Sequence, residues 1–385
     1  MDLSVCIVNY NVREQLGECL QSIIPGGSPP QTEVIVVDNA SADDSPAMIQ
    51  ERFPWVRLVR NPSNLGFARA ANQAMRLGRG RYLLVLNPDS VLVGDCLRQM
   101  VEFMDARPEC GAATCRAWLD RGCEWVLSNW EVPDLWWEVL FYTATLGRWL
   151  TPRRTLERYW QRRWHAFFAT DPTPIEFIQG SFIIIRPAAL ATVGDFDKRF
   201  FMYYEDIDWS RRLLASRWAM YLYPGAGVVH HSNQSGKQTA HSVKMGYLRR
   251  SQRRYVRKHF GLSAALAVRL LLAADTALSR WHGGRIDPLR AFPGEAGGAF
   301  QTAHCPAELR WNPVPGTARY LVELSHNPLF LGVASRIVDV PAAPLPREAI
   351  QALGLPRGFW RAIPCQEVGS RAGLAGGVNV HTRRS

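Results

Sequence analysis

Apolar and polar positions come in blocks along the first half of the chain. Residues 3–8, 34–37, 56–59 and 82–86 are short, largely apolar runs bounded by turn residues, as buried strands are. Between the first two, Leu16, Cys19, Leu20 and Ile23 recur at helical spacing, and a second helical pattern covers 67–75 ahead of the fourth run. Strands alternating with helices predict an open α/β sheet built from crossover units. The runs end in Asn9-Tyr-Asn11, Asp38-Asn39 and Asn87-Pro-Asp89. Polar groups therefore collect at strand carboxyl ends, where such sheets take their ligands.

The pattern changes after Trp118. Eight of the 14 tryptophans fall within 118–164, interleaved with Arg148, Arg153, Arg154, Arg158, Arg162 and Arg163, which predicts an inserted, largely helical segment. Strand-like residues return at 182–185, and 228–231 ends another short strand. A basic helix is expected over 242–258. The apolar stretch 262–278 carries Arg269 and Asp275 and is shorter than the ~20 residues a spanning helix needs, so no transmembrane segment is expected. Residues 282–305 have the Gly and Pro content of a linker. The run Glu308-Leu-Arg-Trp-Asn-Pro-Val-Pro-Gly-Thr-Ala-Arg-Tyr-Leu-Val-Glu-Leu324 then reads as strand, turn, strand.

Composition narrows the class. A chain of 385 residues exceeds one comfortable hydrophobic core, so two domains are expected, and 47% hydrophobic with 21% charged residues excludes a disordered chain. A net charge of +11 calls for an anionic partner: nucleic acid, a membrane surface or a phosphorylated substrate. The eight cysteines form no Cys-x-x-Cys pair, a usage that fits a reducing compartment. Met1-Asp-Leu-Ser-Val-Cys-Ile-Val8 enters a strand without a basic or small-residue leader pattern, so a cytoplasmic location is expected.

Five constellations carry candidate chemistry. Asp38 ends a strand in a turn of small polar residues, where its carboxylate can accept hydrogen bonds from a nucleobase or ribose; an ordinary Asx-turn looks the same. Arg60-Asn-Pro-Ser-Asn-Leu-Gly-Phe-Ala68 opens a helix whose N-terminal N–H groups can face phosphate, and a plain helix cap needs no more. Asn87-Pro-Asp89 offers an oxygen ligand for hard Mg²⁺ or Mn²⁺, or simply turns the chain. In Phe200-Phe-Met-Tyr-Tyr-Glu-Asp-Ile-Asp208, the carboxylates Glu205, Asp206 and Asp208 lie among aromatic rings, and crowded carboxylates near apolar rings have raised pKa values, as a catalytic base requires. His230-His231 ends a strand and can supply an imidazole ligand.

Taken in order, these motifs resemble glycosyltransferase family 2 with the GT-A fold, in its rhamnosyltransferase-like branch, over residues 3–258. The resemblance implies that Asp38 contacts the nucleotide base, that Asn9, Asn11, Asn64 and Asn87 line the nucleotide-sugar site, that Asp89 and His230 hold Mg²⁺ or Mn²⁺, and that Asp206 is the catalytic base beside Glu205. Asn87 stands where the metal motif usually opens with Asp. Ser232-Asn-Gln234 replaces the usual glycine-rich stretch, which leaves His230 and His231 both open as the ligand. The tail, through Trp311, Tyr320 and Phe359-Trp-Arg361, resembles a fibronectin type III sandwich.

The expected fold is therefore α/β of GT-A type, a Rossmann-like nucleotide-binding sheet with flanking helices, plus a small C-terminal all-β domain. The expected boundaries are 1–260 for the transferase domain with its insertion at 118–165, 261–282 for an amphipathic helical extension, 283–304 for a linker and 305–385 for the β domain. The expected activity is inverting transfer of a sugar, rhamnose by branch resemblance, from a dTDP- or UDP-sugar to a saccharide or lipid-linked acceptor in cell-surface polysaccharide synthesis. The Trp- and Arg-rich insertion and the helices of 242–278 suit an anionic inner leaflet, peripherally bound. Three other readings were weighed. A sugar nucleotidyltransferase would open with a glycine-rich phosphate loop, and Val8-Asn-Tyr-Asn-Val-Arg13 has no glycine. A nucleic-acid binder would use the seven Lys and Arg of 244–258, but no nucleic-acid module accompanies them, so no nucleic-acid partner is expected. A transferase-like protein that only binds remains the third.

Overall fold

A computed structural model describes residues 1–23, 31–128, 131–143, 146, 152–231, 241–281, 296–301, 308–325, 333–345, 357–366 and 368. In chain order, the elements begin with β1 (Leu3–Asn9), α1 (Arg13–Ile23), β2 (Thr32–Asp38), α2 (Ser45–Arg52), β3 (Arg57–Arg60), α3 (Phe67–Leu77), β4 (Tyr82–Leu86) and β5 (Ser90–Val93). Next come α4 (Cys96–Asp105), β6 (Cys110–Trp118), β7 (Val126–Ser128), α5 (Leu135–Tyr142), α6 (Arg153–Phe168), β8 (Thr173–Pro174), β9 (Phe182–Ile185), α7 (Pro187–Val193), α8 (Glu205–Leu214) and β10 (Ala219–His230). The chain continues through α9 (His241–Trp281), β11 (Ala296–Gln301), β12 (Glu308–Arg310), β13 (Tyr320–Ser325), β14 (Val333–Val338), β15 (Ala342–Pro344) and β16 (Arg357–Pro364). Two compact units form, one from Met1–Trp118 with Thr170–His259, the other from Leu119–Ala169 with Phe260–Ser385.

In the first unit the strands run in the order β6-β9-β4-β1-β2-β3, with β10 joined to β6. The pairs β1–β2, β1–β4 and β2–β3 are parallel, so β1, β2 and β4 deliver their carboxyl ends to one edge. The chain leaves β1 toward β2 and returns on the other side as β4, which makes the β1/β4 gap a topological switch point. One face of the sheet presents Val5, Ile7, Val34, Val36, Leu84 and Leu86 to Leu16 and Leu20 of α1, Met48 and Ile49 of α2, and Met100 and Met104 of α4. The alternate residues Cys6, Val8, Ile35 and Val37 are buried as well, as expected for a sheet covered on both faces. Helix α3 packs on β1 and β2 through Ala68, Ala70, Ala71 and Ala74, whose small side chains permit close approach.

Antiparallel strands complete this edge. Strand β9 runs against β4 with Phe182 opposite Leu86, so the residues entering β9 lie beside the end of β4. Strand β10 runs against β5 with His230 opposite Ser90, so the end of β10 meets the residue that follows Asp89.

The second unit holds the antiparallel sheet β11-β16-β13-β14-β7 and the separate pair β12–β15. C-terminal strands are thus present as read. Two readings change. Residues 119–169 of the insertion belong to this unit, where β7 pairs with β14. The segment read as linker contains β11, paired along its length with β16; the rest of that reading up to residue 295 lies outside the described residues. Its glycines suggested a linker, but backbone pairing asks nothing of side chains and Gly297 passes close to the backbone of Trp360, where a larger residue would collide.

A buried ion triad joins α6 to the sheet. Glu323 of β13 accepts from Arg163 Nη2 at 2.9 Å, from Trp164 Nε1 at 3.0 Å and from Arg361 Nε at 2.6 Å. The Arg361 guanidinium also lies 4.2 Å from the Trp160 ring centre. Burial alone would raise the Glu323 carboxyl, but Arg163 and Arg361 hold it below its ordinary value. Helix α9 changes direction at Gly261, whose φ of 90° suits glycine. By length and composition Ser242–Leu278 passes as a helix able to cross a membrane, yet seven of its Lys and Arg lie before Gly261, and its apolar part is the 262–278 stretch read from sequence.

Replacing Glu323 with Ala leaves two buried cations facing each other, and breaking such a pair costs about 3–5 kcal/mol. Chemical denaturation of Glu323→Ala should show that loss; an unchanged midpoint would mean the triad contributes nothing.

Candidate active site at the strand ends

Every residue singled out by sequence for the site lies in the first unit. Asn9 and Asp38 stand directly opposite each other in the β1–β2 register. Asn9 Nδ2 donates to Asp38 Oδ1 at 2.8 Å and to Ser41 Oγ at 3.0 Å, while Ser41 N donates to Asp38 Oδ2 at 3.1 Å. Asn11, at a φ of 54°, receives Ala42 N on its Oδ1 at 2.7 Å. These bonds fix the turn after β2 and leave Asn9 Oδ1 buried with no hydrogen-bond partner. A buried orphaned acceptor is a costly thing to keep without a ligand.

Asn64 has a different place from the one expected. Its Oδ1 is occupied by Asn39 Nδ2 at 2.8 Å and by Gly66 N at 2.9 Å, so that oxygen braces the loop before α3. Asn39, which the sequence reading left in the background, ties the turn after β2 to this loop, accepting from Asn61 Nδ2 and Leu65 N. The loop is seated on the approach to the acidic run: Phe67 N donates to Phe201 O at 2.7 Å, and Asn72 exchanges two bonds with the Phe196 backbone. Gly66 has a φ of 83°, and a Cβ there would sit 2.5 Å from Phe201 O.

After β4, Asn87 N donates to Ser181 O at 3.1 Å, which couples the Asn87-Pro-Asp89 turn to the start of β9. The β5–β10 register then sets His230 against Asp89, with Nε2 3.2 Å from Oδ1, both residues buried. Asn87 Nδ2 is 3.4 Å from the same Nε2. His231 faces Glu18 instead, at 3.9 Å. Two donors at right angles on one small divalent ion, each about 2.1 Å from it, lie about 3 Å apart. The Asp89 and His230 atoms meet that spacing, and carboxylate with imidazole suits Mg²⁺ or Mn²⁺. Among the described residues no third His, Cys, Asp or Glu joins them, so a diphosphate would supply further oxygens. Ser232, Asn233 and Gln234 lie outside the described residues.

The acidic run enters α8 through two tyrosines with positive φ, Tyr203 at 67° and Tyr204 at 72°. Such a conformation is strained for a bulky side chain and occurs where the surrounding structure enforces it. Its three carboxylates then meet three different fates. Asp208 is fully buried and accepts from Lys258 Nζ at 2.6 Å, His259 Nε2 at 2.8 Å and Arg212 Nε at 3.0 Å. Burial would raise it, but His259 and Lys258 hold it below the usual range, so it anchors the helix as a permanent anion. Asp206 is half-buried and accepts from Gly180 N at 2.9 Å and from Ile207 N at 2.8 Å. Burial raises its pKa and these amides pull it back. Glu205 is buried, and its Oε2 has no partner; burial first and the Asp206 charge second push it well above the ordinary range.

Both carboxyls are raised by burial, but only Asp206 has two N–H groups on its oxygens to favour its charged form. Ser41, Asn39 and the Ser181 carbonyl were missing from the sequence-based site. Ser41 and Asn39 share the turn motif of Asp38, a usable signal, whereas the contact through Ser181 depends on β9 running against β4.

Residues 4–173 match the family model described as glycosyl transferase family 2. Over 244 residues the chain is 28% identical to an N-acetylglucosaminyl-diphospho-decaprenol L-rhamnosyltransferase of Mycobacterium tuberculosis, an alignment covering 60% of this chain and 77% of the relative. A succinoglycan biosynthesis protein of Rhizobium meliloti is 33% identical over 106 residues, 27% of this chain and 30% of the relative. Among solved structures, a mannosyltransferase from Pyrobaculum calidifontis in complex with GDP-Man and Mn²⁺ aligns with a TM-score of 0.47 and 17% identity over 72% of this chain and 75% of that one.

The raised Glu205 predicts a pH effect on stability. A carboxyl that binds its proton more tightly folded than unfolded gives its full contribution below the ordinary glutamate value and loses it as pH rises through the folded value. Glu205→Gln should thus gain stability over the native chain as pH rises toward neutrality, in thermal melts across pH. Parallel curves at every pH would contradict the buried, protonated state.

Proposed function

The chain carries a glycosyl transferase family 2 domain, and on that premise we propose that it is a metal-dependent, inverting enzyme that moves a sugar from a nucleoside diphosphate to a lipid-linked saccharide. The observation that carries the mechanism is the unequal hydrogen bonding of the acidic pair. A sugar hydroxyl is a weak nucleophile at neutral pH. Asp206, bonded by Gly180 N and Ile207 N, takes the hydroxyl proton as the new bond to the anomeric carbon forms. Burial and the Asp206 charge raise the Glu205 carboxyl, which disfavours a second negative charge beside the base.

The donor would lie along the carboxyl ends of β1, β2 and β4. Asp38 and the open Oδ1 of Asn9 offer acceptors to the imide or ribose of the nucleotide. Asn11 and Asn87 flank this groove, while Asn64 serves through the loop it braces. Asp89 and His230 would hold Mg²⁺ or Mn²⁺ with the donor diphosphate; once bound, the ion offsets the charge that grows on the departing nucleoside diphosphate. With one base and displacement from the face opposite the leaving group, the product inverts at the anomeric carbon.

The Mycobacterium relative is an N-acetylglucosaminyl-diphospho-decaprenol L-rhamnosyltransferase. For this chain we read the same classes: dTDP-rhamnose or a UDP-sugar as donor, a lipid diphosphate saccharide as acceptor, and a place on the cytosolic face of the membrane in cell-surface polysaccharide synthesis. The buried free thiols of Cys6, Cys19, Cys96, Cys110 and Cys115 accord with a reducing compartment.

Asp206→Asn keeps the shape and one acceptor oxygen for the two N–H groups but cannot take a proton. It should lose about 10²–10⁴ in transfer rate with donor affinity close to native, measured by product formation and by calorimetry with UDP or dTDP. Native turnover in that variant would remove Asp206 from the mechanism.

A further inference from the structure

The second unit carries an exposed apolar face that the transferase chemistry does not use. In the part of α9 after Gly261, Leu262, Leu266 and Leu270 recur every fourth residue and stand 68%, 56% and 62% exposed. Ala273, Ala274 and Ala277 continue the exposed side toward the end of the helix. The opposite side is occupied by protein: Val268 and Asp275 are buried, and Asp275 accepts from Leu146 N at 2.6 Å. A helix that is apolar on both its packed and its open side is not built to face water. Three leucines in successive turns form a continuous strip, unlike isolated surface leucines, which need no explanation.

The same unit supplies positive charge. Arg154, Arg158 and Arg162 are exposed at successive turns of α6, Arg269 is exposed beside the leucines, and Trp136 is 54% exposed on α5. A leucine strip with Arg269 beside it is the composition of a helix that rests in the headgroup region of an anionic bilayer. A spanning helix would be wrapped by lipid on all sides, whereas one side of this helix is packed through Val268 and Asp275.

We propose that the Leu262, Leu266 and Leu270 strip is a membrane-docking face, lying in the plane of an anionic lipid surface with Arg269 at its headgroups. The occupant is lipid, bound peripherally. None of these residues is among the strand-end residues, and, resting on the transferase reading, the strip would bring the enzyme to a two-dimensional pool of lipid-linked acceptor.

The test is co-sedimentation of the full chain with vesicles of phosphatidylcholine mixed with phosphatidylglycerol, and with phosphatidylcholine alone. The native protein should partition onto the anionic vesicles, weakly onto the neutral ones, and should be released by alkaline carbonate. Replacing all three leucines by Glu, or Leu270→Glu alone where the triple variant melts early, should weaken partitioning by about tenfold or more, from the lost apolar burial. Calorimetry with UDP or dTDP should stay native in these variants, so failure of docking and failure of the catalytic reading are read separately. Undiminished vesicle binding by the Glu variants would overturn the proposal, as would retention through carbonate. A native dimer that the Glu variants turn into a monomer would assign the strip to a second copy instead, and also overturn it.

Discussion

Two antiparallel pairings at the end of β4 hold the candidate site together. The three parallel strands β1, β2 and β4 bring Asn9, Asp38 and Asn87 to one edge by topology alone, but all three come from the first 90 residues. The β9 pairing places Gly180 and Ser181 beside the end of β4, where Gly180 N reaches Asp206 and Ser181 O takes Asn87 N. The β10 pairing sets His230 opposite Ser90, one residue past Asp89. A slip of one residue in either register would turn the functional side chain to the other face of the sheet.

Around this edge the structure sorts three neighbouring carboxylates by what surrounds them. Asp208 receives donors from Lys258, Arg212 and His259, which hold its carboxyl below the usual range. Glu205 receives burial and an open oxygen, which raise its carboxyl well above the ordinary range. Asp206 receives amide donors while staying half-open to the site. One helical turn thus carries three carboxylates in three different settings, and the fixed contacts of Gly66 and Asn72 to the preceding segment hold that turn in place.

The sequence made the parallel strands and their polar ends readable, because continuous apolar runs with abrupt polar termini are the mark of a buried parallel sheet. It concealed the rest for identifiable reasons. Strand β6, Cys-Gly-Ala-Ala-Thr-Cys-Arg-Ala-Trp, is built from small residues with little strand preference. Only the end of β10 was seen, since Pro224 and Gly225 interrupt it and the register shifts between Tyr223 and Gly227. The choice between His230 and His231 waited on register, which places His230 on Asp89. The grouping of residues 119–169 with the C-terminal strands rests on pairs far apart in sequence, Arg163 with Glu323 and Val126 with Ser335, that no local pattern announces.

The central claim is that the strand ends form one site for a nucleoside diphosphate and a divalent ion, with Asp89 and His230 as the protein's ligands. Calorimetric titration with UDP and dTDP, in the presence of Mn²⁺ and in the presence of a chelator, tests it most directly. The account predicts tight binding of one nucleotide that requires Mn²⁺ and disappears in Asp89→Ala. Equal affinity with and without the ion, or unchanged ion-dependent binding in Asp89→Ala, would contradict it.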